Sequence, residues 1–264
     1  MAGEGTGANA ATRETAGPFG RVLAVDTATE ACTVGLWIDG AVHVRHRVGA
    51  RVHAQSVIPM IDALLAEAGL AAGDLDGLGV GRGPGSFTGI RIGLAAVQGL
   101  AFAIDRPLVG VSTLAAVALD GHRASGSPHV LAALDARMGE VYAGLYTVDT
   151  GAATWVTPGS PERVLAPEAA GSLLGPGPGP GPEPEGVAGA GSGFASYEVA
   201  LRAALGTRLT GLHAECLPHG EGVVQLAVQA LAAGEGGAPW LVEPVYLRDR
   251  VAEPPSDRPR RGRR

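Results

Sequence analysis

The chain has 264 residues, a formal net charge of -6, 46% hydrophobic and 17% charged residues, enough apolar material to bury a substantial core as one large domain or two lobes. Its 42 glycines and 19 prolines are not periodic, which excludes collagen, and two cysteines, Cys32 and Cys216, are too few for a disulfide framework and lie in no zinc spacing. The net acidity gives no general reason to bind nucleic acid, all 20 basic residues are arginine, and neither the polar N-terminus nor the apolar run Ile92 to Ile104, broken by Gln98, is a signal peptide or a membrane span. A cytoplasmic protein without a membrane association is the expectation.

Residues 1–20, rich in Gly, Ala and Thr, read as a flexible leader. Arg21-Val-Leu-Ala-Val-Asp26 reads as a buried strand ending in an acid and Thr27. Strands over Cys32 to Ile38 and Ala41 to Arg47 follow, joined by Asp39-Gly40, a dipeptide suited to a tight hairpin. His43 and His46 point to opposite faces of that strand and cannot easily chelate one metal.

Between Val52 and Gly69 the period becomes helical, with Val57, Ile61, Leu64 and Ala68 in one stripe widened by Ile58 and Leu65, and Pro59 in the first turn or at a kink. A strand over Asp76 to Gly81 leads into the glycine loop Gly81-Arg-Gly-Pro-Gly-Ser-Phe87, and Thr88 can cap a helix running to about Ile104. Pro107 to Val111 is another strand. Three strands, helix, strand, helix, strand form the βββαβαβ unit of actin-like nucleotide-binding lobes, so the fold class expected is α/β, an actin-like (ribonuclease H-like) fold with two such lobes.

The expected domains are an N-terminal lobe over 21–118, a C-terminal lobe over 119–250 with a Gly/Pro insert at 175–186, and a basic disordered tail over 251–264. In the second lobe, Val130 to Asp135 and Glu140 to Thr147 read as strands, Ala195 to Leu205 and Gly222 to Ala233 as helices, and Pro244 to Arg248 as a closing strand. Asp135, Arg137 and Glu140 crowd one hairpin and can form a catalytic set or, more commonly, a surface ion-pair cluster. Arg258, Arg260, Arg261, Arg263 and Arg264 can attract phosphate through counterion release, or form a solvated tail, the reading preferred from sequence.

Asp26, Thr27, Gly83, Gly85 and Ser86 are the candidate nucleotide or phosphate contacts. An acid and hydroxyls at a β-turn can hold magnesium, and a glycine-rich loop before a helix N-terminus favours an anion. Ala28 stands where a glycine would let phosphate approach most closely, and no lysine follows the loop, so it is not a Walker loop. Ser86 lacks the flanking glycines of a hydrolase elbow. The dull alternatives are a capped turn and a tight strand-to-helix connection. The helix after the loop has almost no polar face, and its small residues Gly89, Gly93, Ala95 and Gly99 would admit another helix. It is either a central core helix or one covered in part by a second protein.

Leu23-Ala-Val-Asp-Thr-Ala-Thr-Glu30, His53-x-Gln55 with Pro59-Met-Ile-Asp62, the run Gly79 to Gly93, Gly110-Val-Ser-Thr-Leu114, Asp135 to Tyr142 and the ending Pro244-Val-Tyr-Leu-Arg248 resemble the TsaB (YeaZ) family over roughly half the chain. The resemblance implies a non-catalytic accessory subunit that binds and supports a TsaD-type transferase. That enzyme forms N6-threonylcarbamoyladenosine at position 37 of tRNAs reading codons beginning with A. A TsaE-like P-loop ATPase would join the assembly, the chain would pair with the transferase or with a second copy of itself as a homodimer, and tRNA would be met through the complex. In the catalytic relative a histidine pair binds a metal; aligning through Gly110-Val111 puts Thr113 and Val117 there, neither a credible ligand. Catalytic and metal residues are therefore expected to be absent, no cofactor is expected on this chain, and ATP and a metal are expected on partner subunits. The implied partner interface is the first two helices, with His53, Val57, Ile58, Ile61, Leu65, Arg91, Gly93, Leu94 and Val97. The rival reading is a stand-alone ATPase, phosphotransferase or metalloprotease-like enzyme of the same fold.

Overall fold

The computed structural model describes residues 19–49, 52–152, 154–175 and 185–248; the leader, most of the Gly/Pro insert and the tail lie outside the described residues. The chain opens with a meander, β1 (Arg21–Asp26), β2 (Ala31–Ile38) and β3 (Ala41–Val48), whose second turn, between β2 and β3, uses Asp39 and Gly40 at φ 47° and 99°. Helix α1 (His53–Glu67) leads to β4 (Gly77–Gly81), and α2 (Phe87–Ala103) to β5 (Leu108–Val111). Both new strands run parallel to β1, giving the sheet order β3-β2-β1-β4-β5.

Strand β1 is apolar from Val22 to Val25 because both its faces are covered. Leu23 and Val25 face the core under α1 and α2, while Val22 and Ala24 face a second core on the other side. Edge strand β3 faces solvent, and its residues are correspondingly exposed or half-buried.

After α3 (Thr113–Ser125) the plan repeats with β6 (His129–Arg137), β7 (Glu140–Val148), β8 (Val156–Pro158), β9 (Arg163–Leu165), β10 (Val187–Ala190), α4 (Ser192–Leu205), β11 (Leu209–His213) and α5 (Gly220–Ala232). β6 and β7 are antiparallel, β10 and β11 continue parallel to β6, and β8 and β9 both pair with β7, so this sheet has the same order as the first. A 3-10 segment, Pro167–Leu174, stands where α1 stands in the first lobe. Two sheets of this order in one chain are the actin-like architecture.

The lobes exchange their last helices. α3 follows the first sheet but packs on β6, β7 and β10; α5 follows the second but packs on β1, β2, β4 and β5, and the two helices touch between the sheets. A boundary at residue 118 therefore falls inside α3, which belongs by packing to the second lobe. Helix α2 is capped by Ser86, whose Oγ accepts from the Gly89 N–H at 3.3 Å, and not by Thr88. Pro59 sits in the second turn of α1, exposed, and the helix runs through it. Pro244 to Arg248 is extended but unpaired as a strand, held by one backbone bond from Val245 N–H to the Arg82 carbonyl at 2.8 Å.

Candidate functional site

Asp26 ends β1 with its side chain fully buried. One carboxylate oxygen accepts from the Ala28 N–H at 2.7 Å, closing the β1–β2 turn, and the other accepts from the Thr113 hydroxyl at 2.8 Å, tying in the first turn of α3. Burial raises its pKa from 3.8 to about 6 against the lowering effect of those two donors, the Ala28 N–H ahead of Thr113. Thr27 is buried too, and its hydroxyl donates to the Gly89 carbonyl at 2.7 Å.

The glycine loop is shaped by this turn. A Cβ on Gly81 would lie 2.0 Å from Asp26 Oδ2, one on Gly85 2.3 Å from the Ala28 carbonyl, one on Gly89 2.1 Å from the Thr27 carbonyl, and one on Gly93 2.4 Å from Thr27 Oγ1. Every substitution there would meet backbone or a fixed side chain. The loop and the start of α2 are pressed onto the β1–β2 turn, and glycine is what allows it. Asp26, Thr27 and Gly83, expected from sequence as phosphate contacts, are buried here, with both Asp26 oxygens and the Thr27 hydroxyl engaged within the chain. Gly85 and Ser86 do line an open space, though the Ser86 hydroxyl is engaged as a helix cap.

That space is a cleft of about 660 Å³ between the lobes. The N-termini of α2 and α4 border it through Ser86, Phe87 and Ser192, and Tyr142, Tyr246 and Arg248 complete its wall. Arg137 pairs with Asp135 at 2.9 Å, and Arg248 pairs with Glu140, so the hairpin charges are ion pairs. Phe87, Tyr142, Ser192, Tyr246 and Arg248 were not singled out as site residues from sequence, although all except Ser192 lie in segments that carry the family resemblance. Beside the cleft, the Tyr146 hydroxyl donates to Glu162 at 2.6 Å and Ser112, the cap of α3, also donates to Glu162. Burial, reinforced by Glu162, pushes the Tyr146 phenol well above its usual value of 10.0.

The positions Thr113 and Val117 are both spent on structure. Thr113 is the hydrogen-bond donor to Asp26, and Val117 is fully buried in the core between α3 and the second sheet. They do not fit a metal.

On the two helices, Val57, Ile61, Leu65, Leu94 and Val97 belong to the first-lobe core, and Gly93 is buried against Thr27. In this chain all six are buried, with the apolar stripe facing the sheet. Ile58 and Arg91 are exposed, and half-buried His53 lines the cleft. The outward face of α2 is instead Thr88, Arg91, Ala95, Gly99 and Phe102. At its end Phe102, 70% exposed, meets Trp240, 67% exposed, edge-on with ring centroids 6.4 Å apart.

Fold and site together define a two-lobed, actin-like protein whose central acid is closed off by its own glycine loop. Residues 44–173 match the family model for TsaD, tRNA N6-adenosine threonylcarbamoyltransferase. The tRNA threonylcarbamoyladenosine biosynthesis protein TsaB of Escherichia coli (strain K12) is 40% identical over 233 residues, covering 88% of this chain and 96% of that protein. The protein of the same name from Bacillus subtilis (strain 168) is 33% identical over 138 residues, 52% of this chain and 59% of that one. Two crystal structures from Pseudomonas aeruginosa, described as YeaZ and as an uncharacterized protein with similarity to peptidase YEAZ, superpose with a TM-score of 0.75 at 41% identity, covering 86% of this chain and 99% of theirs. This chain belongs to the TsaB (YeaZ) family. No helix among the described residues is long and apolar enough to cross a membrane.

Proposed function

We propose that this chain works in the biosynthesis of threonylcarbamoyladenosine in tRNA as a non-catalytic accessory subunit. It binds a TsaD-like transferase and supports formation of N6-threonylcarbamoyladenosine at position 37 of tRNAs reading codons beginning with A. A TsaE-like P-loop ATPase joins the assembly, and ATP and a metal are held by the partner subunits. The relatives named above carry that biosynthesis in their names, and the observation that carries the accessory role is the state of Asp26. Both oxygens of this acid are occupied by the Ala28 N–H and the Thr113 hydroxyl in a fully buried site. The position that would offer a metal ligand donates a structural hydrogen bond.

The docking face is the outward side of α2, from Thr88 to Phe102, together with the exposed Ile58 of α1, the helix packed against it. Support comes from its composition: Ala95 and Gly99 would let a partner helix approach closely, and Phe102, Trp240 and Leu241 leave large apolar side chains in water. Substitutions at Gly93 or Leu94 would disrupt the fold, since both are buried. Ala95→Arg and Phe102→Glu are the appropriate changes. Each should leave the unfolding midpoint within a few degrees of the parent and abolish co-purification with the transferase. Undiminished co-purification of both variants would remove this face from the account. The enzyme reading is tested on the isolated chain: ATP turnover that disappears in Asp26→Ala would establish it.

A further inference from the structure

We infer that Gln98 is a positioning residue of the docking face. It clamps the turn Pro239–Leu241 onto α2, so that Trp240 and Phe102 wall a hollow that receives an apolar side chain of the transferase. The identity of the partner rests on the accessory-subunit reading above; the clamp rests on contacts within this chain. From Ile92 to Ala103, Gln98 is the only polar residue of α2. A half-buried carboxamide on such a helix costs free energy unless it is hydrogen-bonded. Its Nε2 donates to the Pro239 carbonyl at 2.9 Å and to the Val242 carbonyl at 3.0 Å, which uses both amide hydrogens.

Those two carbonyls bracket a single 3-10 turn, Pro239–Leu241, that has little else to hold it. Before the turn, Gly237 and Leu108 exchange backbone bonds of 3.1 and 2.9 Å; after it, the Val245 N–H reaches the Arg82 carbonyl at 2.8 Å. Among the described residues, the Gln98 bonds are the only hydrogen bonds that tie residues 238–244 to the rest of the protein. Val242 packs against the first-lobe core, while Trp240 and Leu241 are left in water. Phe102 lies one helical turn beyond Gln98 and meets the Trp240 ring. A hollow of about 530 Å³ opens at that meeting, lined also by Ala101, Asp105, Pro107 and Pro239. Large exposed rings around a hollow have the form of an interface anchor site, and the place of the turn sets the width between them. Gln98 therefore acts through Trp240.

The test is a double-mutant cycle on affinity for the purified transferase, read by titration calorimetry with the full chain. Gln98→Met keeps the length and helix propensity of the side chain and removes both donors. Gln98→Met and Trp240→Ala should each weaken pairing about tenfold or more, and the double variant should be no weaker than Trp240→Ala alone. A spectroscopic readout on the free chain isolates the clamp. With Trp37, Trp155 and Trp240 all replaced by fluorotryptophan, Gln98→Met should shift or broaden the fluorine resonance that Trp240→Phe removes, and leave the other two in place. The inference is overturned if the Trp240 resonance does not move, if either single variant pairs as tightly as the parent, or if the two losses multiply. Pairing lost with Phe102→Glu but untouched by Gln98→Met keeps the accessory role and removes the clamp. A parent chain that does not bind the transferase removes both.

Discussion

Replacing Asp26 with asparagine isolates the electrostatic state of the sealed acid. Its pKa is raised by burial from 3.8 to about 6, so the folded protein holds the proton more tightly than the unfolded chain does. The stability tied to that proton is fully present below the unfolded value and is lost as pH rises through the folded one, a difference of roughly 3 kcal/mol between pH about 4 and pH about 8. Asparagine keeps an oxygen for the Ala28 N–H, and its amide faces the Thr113 hydroxyl, which can turn to accept. Whatever constant offset the amide introduces, Asp26→Asn should gain on the parent by about 3 kcal/mol across that range, or about 6 °C or more in unfolding midpoint. Urea unfolding at half-unit pH steps reads this directly. Subtracting the two curves removes the other titrating groups, including Asp120, whose carboxyl is also raised to about 6 by burial. Parallel curves for parent and variant would refute the sealed-acid argument.

Other predictions use the same geometry. Gly89→Ala places a Cβ 2.1 Å from the Thr27 carbonyl and should cost about 1–3 kcal/mol, whereas Gly99→Ala meets nothing and should stabilise α2 by about 0.5–1 kcal/mol in chemical denaturation. Asp105, just past the end of α2, has φ 52°, so Asp105→Gly should raise stability by about 1 kcal/mol in the same assay. His46 and His219 meet with ring centroids 5.1 Å apart and planes tilted by 43°, and burial, ahead of any charged neighbour, lowers both pKa values from 6.5. Their contribution is present above pH about 6.5 and lost as pH falls through the lowered values, so His219→Gln should flatten that part of the stability profile. An unchanged profile would mean that the pair titrates alike in folded and unfolded chains.

Much of the first lobe was legible because its signals are local and strong. An apolar strand ending in an acid, Asp39-Gly40 at a turn and a long apolar helix each have one reading. The second lobe was less so: β8 and β9 have three residues each, and β10, Val187 to Ala190, is made of small residues with no alternation. Helix α3 was missed although Ser112 caps its start and Gly126, at φ 72°, ends it. Its apolar residues surround it because it lies between two sheets, which hides a helical period. On the two first-lobe helices, Val57, Ile61 and Leu65 repeat because they meet the sheet, while Ile58 and Phe102 are left in water, a distinction that the apolar period alone does not draw. Asp26 was legible as a special residue, but only the contact with Thr113, 87 positions away, reveals it as sealed.

The most direct measurement is tRNA threonylcarbamoylation by the reconstituted transferase assembly, with this chain supplied as parent, Asp26→Asn or Phe102→Glu. A supporting subunit with a closed central acid predicts full modification with Asp26→Asn and none above background with Phe102→Glu. Modification lost with Asp26→Asn while that variant still pairs with the transferase would contradict the account and place chemistry in this chain.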